Sequence, residues 1–299
     1  MSRAISYQEA TARERLQHLF NPGSFEEFLP PSERITSPHL PQLNAPVSFD
    51  DGVVIGRALL GGVPVYVAAQ EGAFMGGAVG EVHGAKLVGL LRKAVADRVA
   101  AVVLLVESGG VRLHEANAGL IAVSEVMRAL LDARDAGVPV IALVGGANGA
   151  FGGMGIVTRC ANVVIMSEEG RLAMSGPEVI ETANGVEEFD SRDRALVWRT
   201  SGGKHRYLLG DCQRIVADDV AAFRLAAQEA VASFAGQPAG LTLEALEAEQ
   251  RMLESRLLNF GTLRDPVDIW NAMQIPDAAN IPMLDVDSFI AAASRRKGV

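Results

Sequence analysis

Val138-Pro139-Val140-Ile141-Ala142-Leu143-Val144-Gly145-Gly146-Ala147-Asn148-Gly149-Ala150-Phe151-Gly152-Gly153-Met154-Gly155-Ile156 begins as an unbroken apolar run and ends rich in glycine. The run is short and does not alternate with polar residues, which predicts a strand buried on both faces. The chain after Gly152 can enter a helix. A glycine loop between a buried strand and a helix N-terminus leaves backbone N–H groups without partners, aimed at one point. Such a point holds negative charge, either a phosphate or an oxygen that becomes anionic during a reaction.

The rest of the chain narrows that choice. Its 299 residues are 49% hydrophobic and 21% charged, enough for a large core and too apolar for disorder. A net charge of −9 with a pI near 5.1 argues against nucleic acid or an anionic membrane as partner. Cys160 and Cys212 build neither a metal spacing nor a disulfide framework. Neither a signal-peptide core near Met1-Ser2-Arg3 nor a run of about 18 apolar residues occurs, so a cytoplasmic location is expected.

In chain order, Gln8 to Phe20 reads as a helix ended by Asn21-Pro22-Gly23-Ser24. Five prolines between 29 and 46 read as an extended arm, lying either on a partner subunit or as a strap on its own domain. Val53 to Leu60 and Val63 to Ala69 read as a hairpin across Gly61-Gly62. Phe74-Met75-Gly76-Gly77-Ala78-Val79-Gly80 then leads into a helix from Glu81 to Arg98. A buried strand from Ala101 to Glu107 stops at Ser108-Gly109-Gly110, and an apolar stripe marks a helix from Glu115 to Ala136. After the opening stretch come strands at Val163 to Met166 and Arg171 to Met174, then a helix begun by Ser175-Gly176-Pro177. Residues 184–210 read as a polar excursion or lid, followed by helices at Asp218 to Phe234 and Leu243 to Leu257 and a tail from Asn259. The pattern is α/β, with residues 1–50 as an N-terminal helix and arm and residues 51–299 as the main domain.

Gly76-Gly77, Gly109-Gly110 and Gly152-Gly153 all fall at strand carboxyl ends, where ligands collect in such folds. The glycine spacing fits no dinucleotide fingerprint, and no Walker lysine follows. His18, His39, His83, His114 and His205 form no metal pair, and no G-x-S-x-G elbow exists. An oxyanion site remains, in which N–H groups from two loops grip one carbonyl oxygen. A thioester suits it best, because its enolate places full charge on that oxygen.

Five ordered motifs carry a family resemblance. Ser108-Gly109-Gly110-Val111-Arg112-Leu113-His114-Glu115 resembles the S-G-G-A-R-x-x-E motif of the acyl-CoA carboxyltransferase family, and 74–80 resembles its F-M-G-G-S-x-G. Ala12-Arg13-Glu14-Arg15-Leu16 with Gly23-Ser24-Phe25, the pair Gly152-Gly153, and Ser175-Gly176-Pro177-Glu178-Val179-Ile180 are similar to further family motifs. They span residues 10–182; Val111 and His114 depart from the family pattern. The resemblance implies a crotonase-like (ClpP/crotonase) β-β-α superhelix in a single carboxyltransferase domain.

Within the family the chain resembles the branch of biotin-independent malonate decarboxylase β subunits. It carries one such domain rather than two, lacks the four cysteines of a zinc ribbon, and holds Trp198 and Gly202-Gly203-Lys204-His205 in the excursion. The resemblance implies decarboxylation of a malonyl thioester on an acyl carrier protein to an acetyl thioester and CO2. The carrier's phosphopantetheine-type, dephospho-CoA-derived arm would be the only cofactor, with no biotin and no metal on this chain. A homologous γ subunit, the acyl carrier protein and its transferase would be partners. Gly152 and Gly153 are then the expected oxyanion donors, with Gly109 and Gly110 lining the thioester and Gly76 and Gly77 beside them. Arg112 either anchors the arm or pairs with Glu115. His114 and His205 are proton-donor candidates, and Lys204 is a substrate contact. A biotin-dependent carboxyltransferase β chain of the acetyl-CoA carboxylase type, and a carrier-docking scaffold without catalysis, stay open.

Overall fold

A computed structural model describes residues 4–44, 47 and 52–296. Seven strands form one sheet in the order of the chain. They are β1 (Glu26–Phe28), β2 (Val53–Leu60), β3 (Val63–Gln70), β4 (Val102–Val106), β5 (Val140–Val144), β6 (Val163–Ser167) and β7 (Arg214–Val216). The first three pair antiparallel and the rest parallel. This is the crotonase-like arrangement, a hairpin continued by strand–loop–helix turns.

Period-two alternation assigns the strand residues to two cores. Val102, Leu104, Val106, Val140, Ala142 and Val144 pack on one face, against α3 (Glu81–Asp97), α4 (Asn117–Asp135) and α5 (Gly152–Arg159). Val103, Leu105, Ile141 and Leu143 pack on the other, against α1 (Ala12–Leu19) and α9 (Val220–Ser233). Both faces are covered, so the strands read as continuous apolar runs.

The first helix is shorter than its sequence pattern and starts at a capping box, Thr11 with Glu14. From it Arg15, fully buried, bonds the Glu107 carboxylate, donates to the Tyr7 carbonyl at 2.8 Å and lies over the Tyr7 ring. Glu107 follows the end of β4 and immediately precedes Ser108-Gly109-Gly110. The N-terminal segment therefore clamps the base of a glycine loop.

Four expectations change. The arm is not extended throughout: it holds β1, a 3-10 turn at Pro31–Glu33 and α2 (His39–Gln42), while 45, 46 and 48–51 lie outside the described residues. Residues 171–174 pair through isolated bridges instead of a strand. The polar excursion follows α6 (Pro177–Asn184) and is half helical, with α7 (Arg194–Ser201) and α8 (Gly203–Leu208). The tail is no tail. After α10 (Leu243–Phe260) come α11 (Pro266–Ala272), a 3-10 turn at Ala278–Met283 and α12 (Val286–Ala293). These close a third core around Trp270, Met273, Ile281 and Phe289 with Leu208 and Ile215. Each of those helices is short and gains its stability from packing, which local periodicity does not report.

Removing Arg15 leaves the buried Glu107 carboxylate without its counter-ion. Arg15→Met is expected to lower unfolding stability by about 3 kcal/mol or more, and adding Glu107→Gln to recover part of it. Urea denaturation of the two variants checks this.

Candidate active site

Three glycine loops leave the ends of β3, β4 and β5 and stack into a second, smaller hydrogen-bonded layer. Gly109 N–H donates to the Gly76 carbonyl at 2.9 Å, and Val79 N–H to that of Gly110 at 2.8 Å. Ser108 N–H reaches the Gly149 carbonyl at 2.7 Å, and Phe151 N–H returns to that of Ser108 at 2.9 Å. Ala150 pairs in turn with Leu172, and Arg171 with Gly202.

The closeness needs glycine. A Cβ on Gly77, whose φ is +68°, would lie 1.9 Å from the Glu107 carbonyl oxygen. One on Gly110 would stand 3.2 Å from the Gly152 Cα. Glycine supplies both the backbone angle and the missing atom. The structure thus brings Gly76, Gly77, Gly109, Gly110, Gly152 and Gly153 together, with Gly76 and Gly109 exposed at the edge.

One expectation about the donors is corrected. Gly152 N–H is already used, donating to the Met174 carbonyl at 2.9 Å. The open groups at the start of α5 are those of Gly153 and Met154, which meet no backbone acceptor among the described residues. The first turn of a helix has no internal acceptor for these groups, and the helix dipole adds positive potential there. Sequence reasoning missed Met154, because only the bond from Gly152 to Met174 shifts the open pair by one residue.

Arg112 is an ion-pair residue. It is 1% exposed, donates to Glu115 at 3.0 Å and to the Ala78 carbonyl at 2.9 Å, and lies over Phe74. Glu115 also accepts the N–H of Glu81, tying the loop to the start of α3. Of the two readings for Arg112, the pair with Glu115 is present. His114 is exposed on the one-turn helix Leu113–Glu115 beside the second glycine loop.

Lys204 and His205 stand apart from the ladder. Both are buried in a cavity of ≈ 370 Å³ lined also by Glu168, Glu169, Trp198, Arg199 and Trp270. Lys204 pairs with Glu168 at 2.7 Å and donates to the Pro282 and Leu284 carbonyls. Trp270 Nε1–H donates to His205 Nδ1 at 3.1 Å. Burial, with Arg206 adding to it, pushes the His205 pKa down to about 3, so the ring is neutral and a poor source of protons. The sequence carried no signal for this cluster, since Trp270 lies in the segment read as a tail. Among the described residues no group of three or more His, Cys, Asp or Glu gathers to hold a metal, and no helix is long and apolar enough to cross a membrane.

A backbone-built ladder at strand ends, on a hairpin-plus-parallel sheet, defines a carboxyltransferase-type domain. The chain belongs to that family: the carboxyl transferase domain model matches residues 6–234. It is 40% identical to the malonyl-S-ACP:biotin-protein carboxyltransferase MADC of Malonomonas rubra, over 98% of this chain and 96% of that protein. A Pseudomonas malonate decarboxylase hetero-tetramer, crystallised with malonate, contains a chain 38% identical to this one. It superposes with a TM-score of 0.80, covering 90% of this chain and 97% of that one. Transcarboxylase 12S, with methylmalonyl-coenzyme A and methylmalonic acid bound, matches at 28% identity and a TM-score of 0.61 over 74% of this chain and 40% of its own. The chain is a carboxyltransferase related to malonate decarboxylase subunits.

Gly77→Ala is expected to destabilise the protein by about 2 kcal/mol or more, because the first glycine loop must move off the Glu107 carbonyl; urea denaturation measures it. A second expectation concerns pH. Between about 6.5, the ordinary value, and about 3 the unfolded chain takes a proton that folded His205 refuses. Stability from this residue is therefore complete above the upper value and falls with pH through that window. The loss of melting temperature between pH 7 and pH 5 should be smaller in His205→Gln than in the wild type.

Proposed function

We propose that this chain is the β-type subunit of a malonate decarboxylase that acts on a malonyl thioester carried on an acyl carrier protein. The observation that carries the reading is the open N–H pair of Gly153 and Met154 beside Gly110. Cleavage of the carboxyl carbon releases CO2 and leaves its bonding electrons in the acetyl thioester, whose carbonyl oxygen becomes an enolate. The two N–H groups hold that oxygen, and protonation at carbon then completes the acetyl thioester. Gly109 and Gly110 form the adjoining wall for the thioester and its phosphopantetheine-type arm. His114 is the titratable side chain at the edge of the ladder; His205 is withdrawn from that role by its separate cavity and low proton affinity.

A homologous γ subunit supplies the other wall. Leu113, in the turn after the second glycine loop, and Met174, whose carbonyl holds the Gly152 N–H of the third, are exposed apolar side chains. The Pseudomonas relatives crystallised as a hetero-tetramer and a hetero-dimer, which supports the same reading. The acyl carrier protein and its transferase complete the set of partners. The chain itself carries no biotin and no metal in this scheme.

A second reading has its own support, because the Malonomonas relative transfers the carboxyl group to a biotin protein. The chain with its γ partner, given malonyl-S-carrier, separates the two. Release of CO2 that survives avidin supports the decarboxylase, and release only when a biotin protein is added overturns it. Gly153→Pro deletes one donor; it is made in a Val123→Ala background, because a Gly153 Cβ would meet Val123 at 2.7 Å. Relative to Val123→Ala alone, kcat should fall roughly 100-fold. An unchanged kcat assigns the chemistry to the partner and leaves this chain a docking scaffold.

A further inference from the structure

α10 runs for 18 residues, yet within it only Phe260 is buried. Leu243, Leu246, Leu253 and Leu257 are 45% to 72% exposed. With Gln250 they follow one another in alternate steps of three and four residues. That spacing sets them in a line along one side of the helix, about 21 Å long. A different side meets the domain. There Glu249 pairs with Arg159 at 3.3 Å and Arg256 with Asp211 at 3.0 Å, and Met252 and Ser255 are half-buried. We propose that the leucine line is the docking surface for an amphipathic helix of another polypeptide, whose own apolar stripe is flanked by lysine or arginine. The inference stands independently of the thioester reading.

The spacing selects the shape of the partner. Apolar side chains in alternate steps of three and four interlock with a second helix of the same repeat, each entering a hole between four residues of that helix. A helix of this length also draws most of its stability from packing of its apolar side, which here faces water.

The charges select the sign of the partner. Glu249 and Arg256, on one flank of the line, are taken up by the domain. The other flank is open and carries Glu247 and Glu254, with Glu244 and Arg251 further round the helix. Arg251 reaches Glu247 at 3.6 Å, and Gln250 donates to Glu254 at 3.0 Å. Three carboxylates against one guanidinium leave this flank negative. A second copy of the chain is therefore disfavoured. Two α10 helices packed antiparallel on their leucines set Glu247 of one beside Glu254 of the other, twice by symmetry, and a parallel pair sets Glu249 beside Glu254. Lysine or arginine at the facing positions turns both repulsions into attractions.

Two fluorescein-labelled three-heptad peptides test this against the full chain by anisotropy at physiological ionic strength. Both carry leucine and isoleucine in the stripe; one has lysine at the flanking positions and the other glutamate. The lysine-flanked peptide should bind saturably, and the glutamate-flanked one at least about tenfold more weakly. Leu253→Gln with Leu257→Gln should weaken the lysine-flanked peptide about tenfold or more. Glu247→Lys with Glu254→Lys should reverse the preference, so that the glutamate-flanked peptide binds the tighter. All four positions are exposed, and melting curves matching the wild type establish that both variants are folded. No saturable binding, equal binding of the two peptides, or unchanged binding in either double variant overturns the proposal. So does sedimentation of the chain alone as a dimer that the leucine double variant dissolves, which assigns the line to a second copy.

Discussion

Backbone against backbone contact between loops is the constraint on which this molecule depends. Each parallel strand must end, turn and send its chain into a helix, while the turn also pairs with the turns beside it. A Cβ at Gly77 would sit 1.9 Å from Glu107 O, and one at Gly149 2.6 Å from Arg171 O. Without those atoms the loops close into a second ladder above the sheet. The ladder then fixes which amides are consumed and which stay open. The open groups of the ladder are main-chain amides, and the side chains around it serve mainly to hold the main chain still.

Arg15 and Arg112 show that supporting role. Each is a fully enclosed cation paired with a carboxylate, and each pair stands at one end of the second glycine loop: Glu107 before it, Glu115 after it. Gly72 and Gly146 leave room around the Glu107 carboxylate, since a Cβ on either would meet its oxygens at 2.4 or 2.5 Å. Buried pairs of this kind contribute little net stability, but either half is costly to lose. Their effect is to fix position. The loop between them cannot slide without exposing a charge to an apolar interior.

Much of the sheet was legible because burial on both faces leaves an uninterrupted apolar signature, as in β4 and β5. The glycine loops were legible as a set, since three pairs at equivalent strand ends are not expected of ordinary turns. Which amides stay open at the start of α5 was legible only to within one residue. It hinges on Met174, whose carbonyl takes the Gly152 N–H from a segment with no periodic pattern. Lys204 and His205 looked like an exposed polar motif because local sequence shows only charge. Their burial depends on Trp270 and Ile281, more than 60 residues further along the chain, in helices of one or two turns that long-range packing alone stabilises. The apolar residues of that third core are spread too thinly to announce it.

Arg171 joins the two halves of the molecule. Its carbonyl accepts Ala150 N–H on the ladder, its backbone bridges Gly202 at the start of α8, and its guanidinium lies between the rings of Phe151 and Trp198. Phe151 is the N-cap residue of α5, two residues before the first open amide, that of Gly153. Burial lowers the pKa of Arg171, yet a guanidinium stays charged at any ordinary pH. A permanent cation held between two aromatic faces transmits position by contact. The cavity and the ladder share one wall.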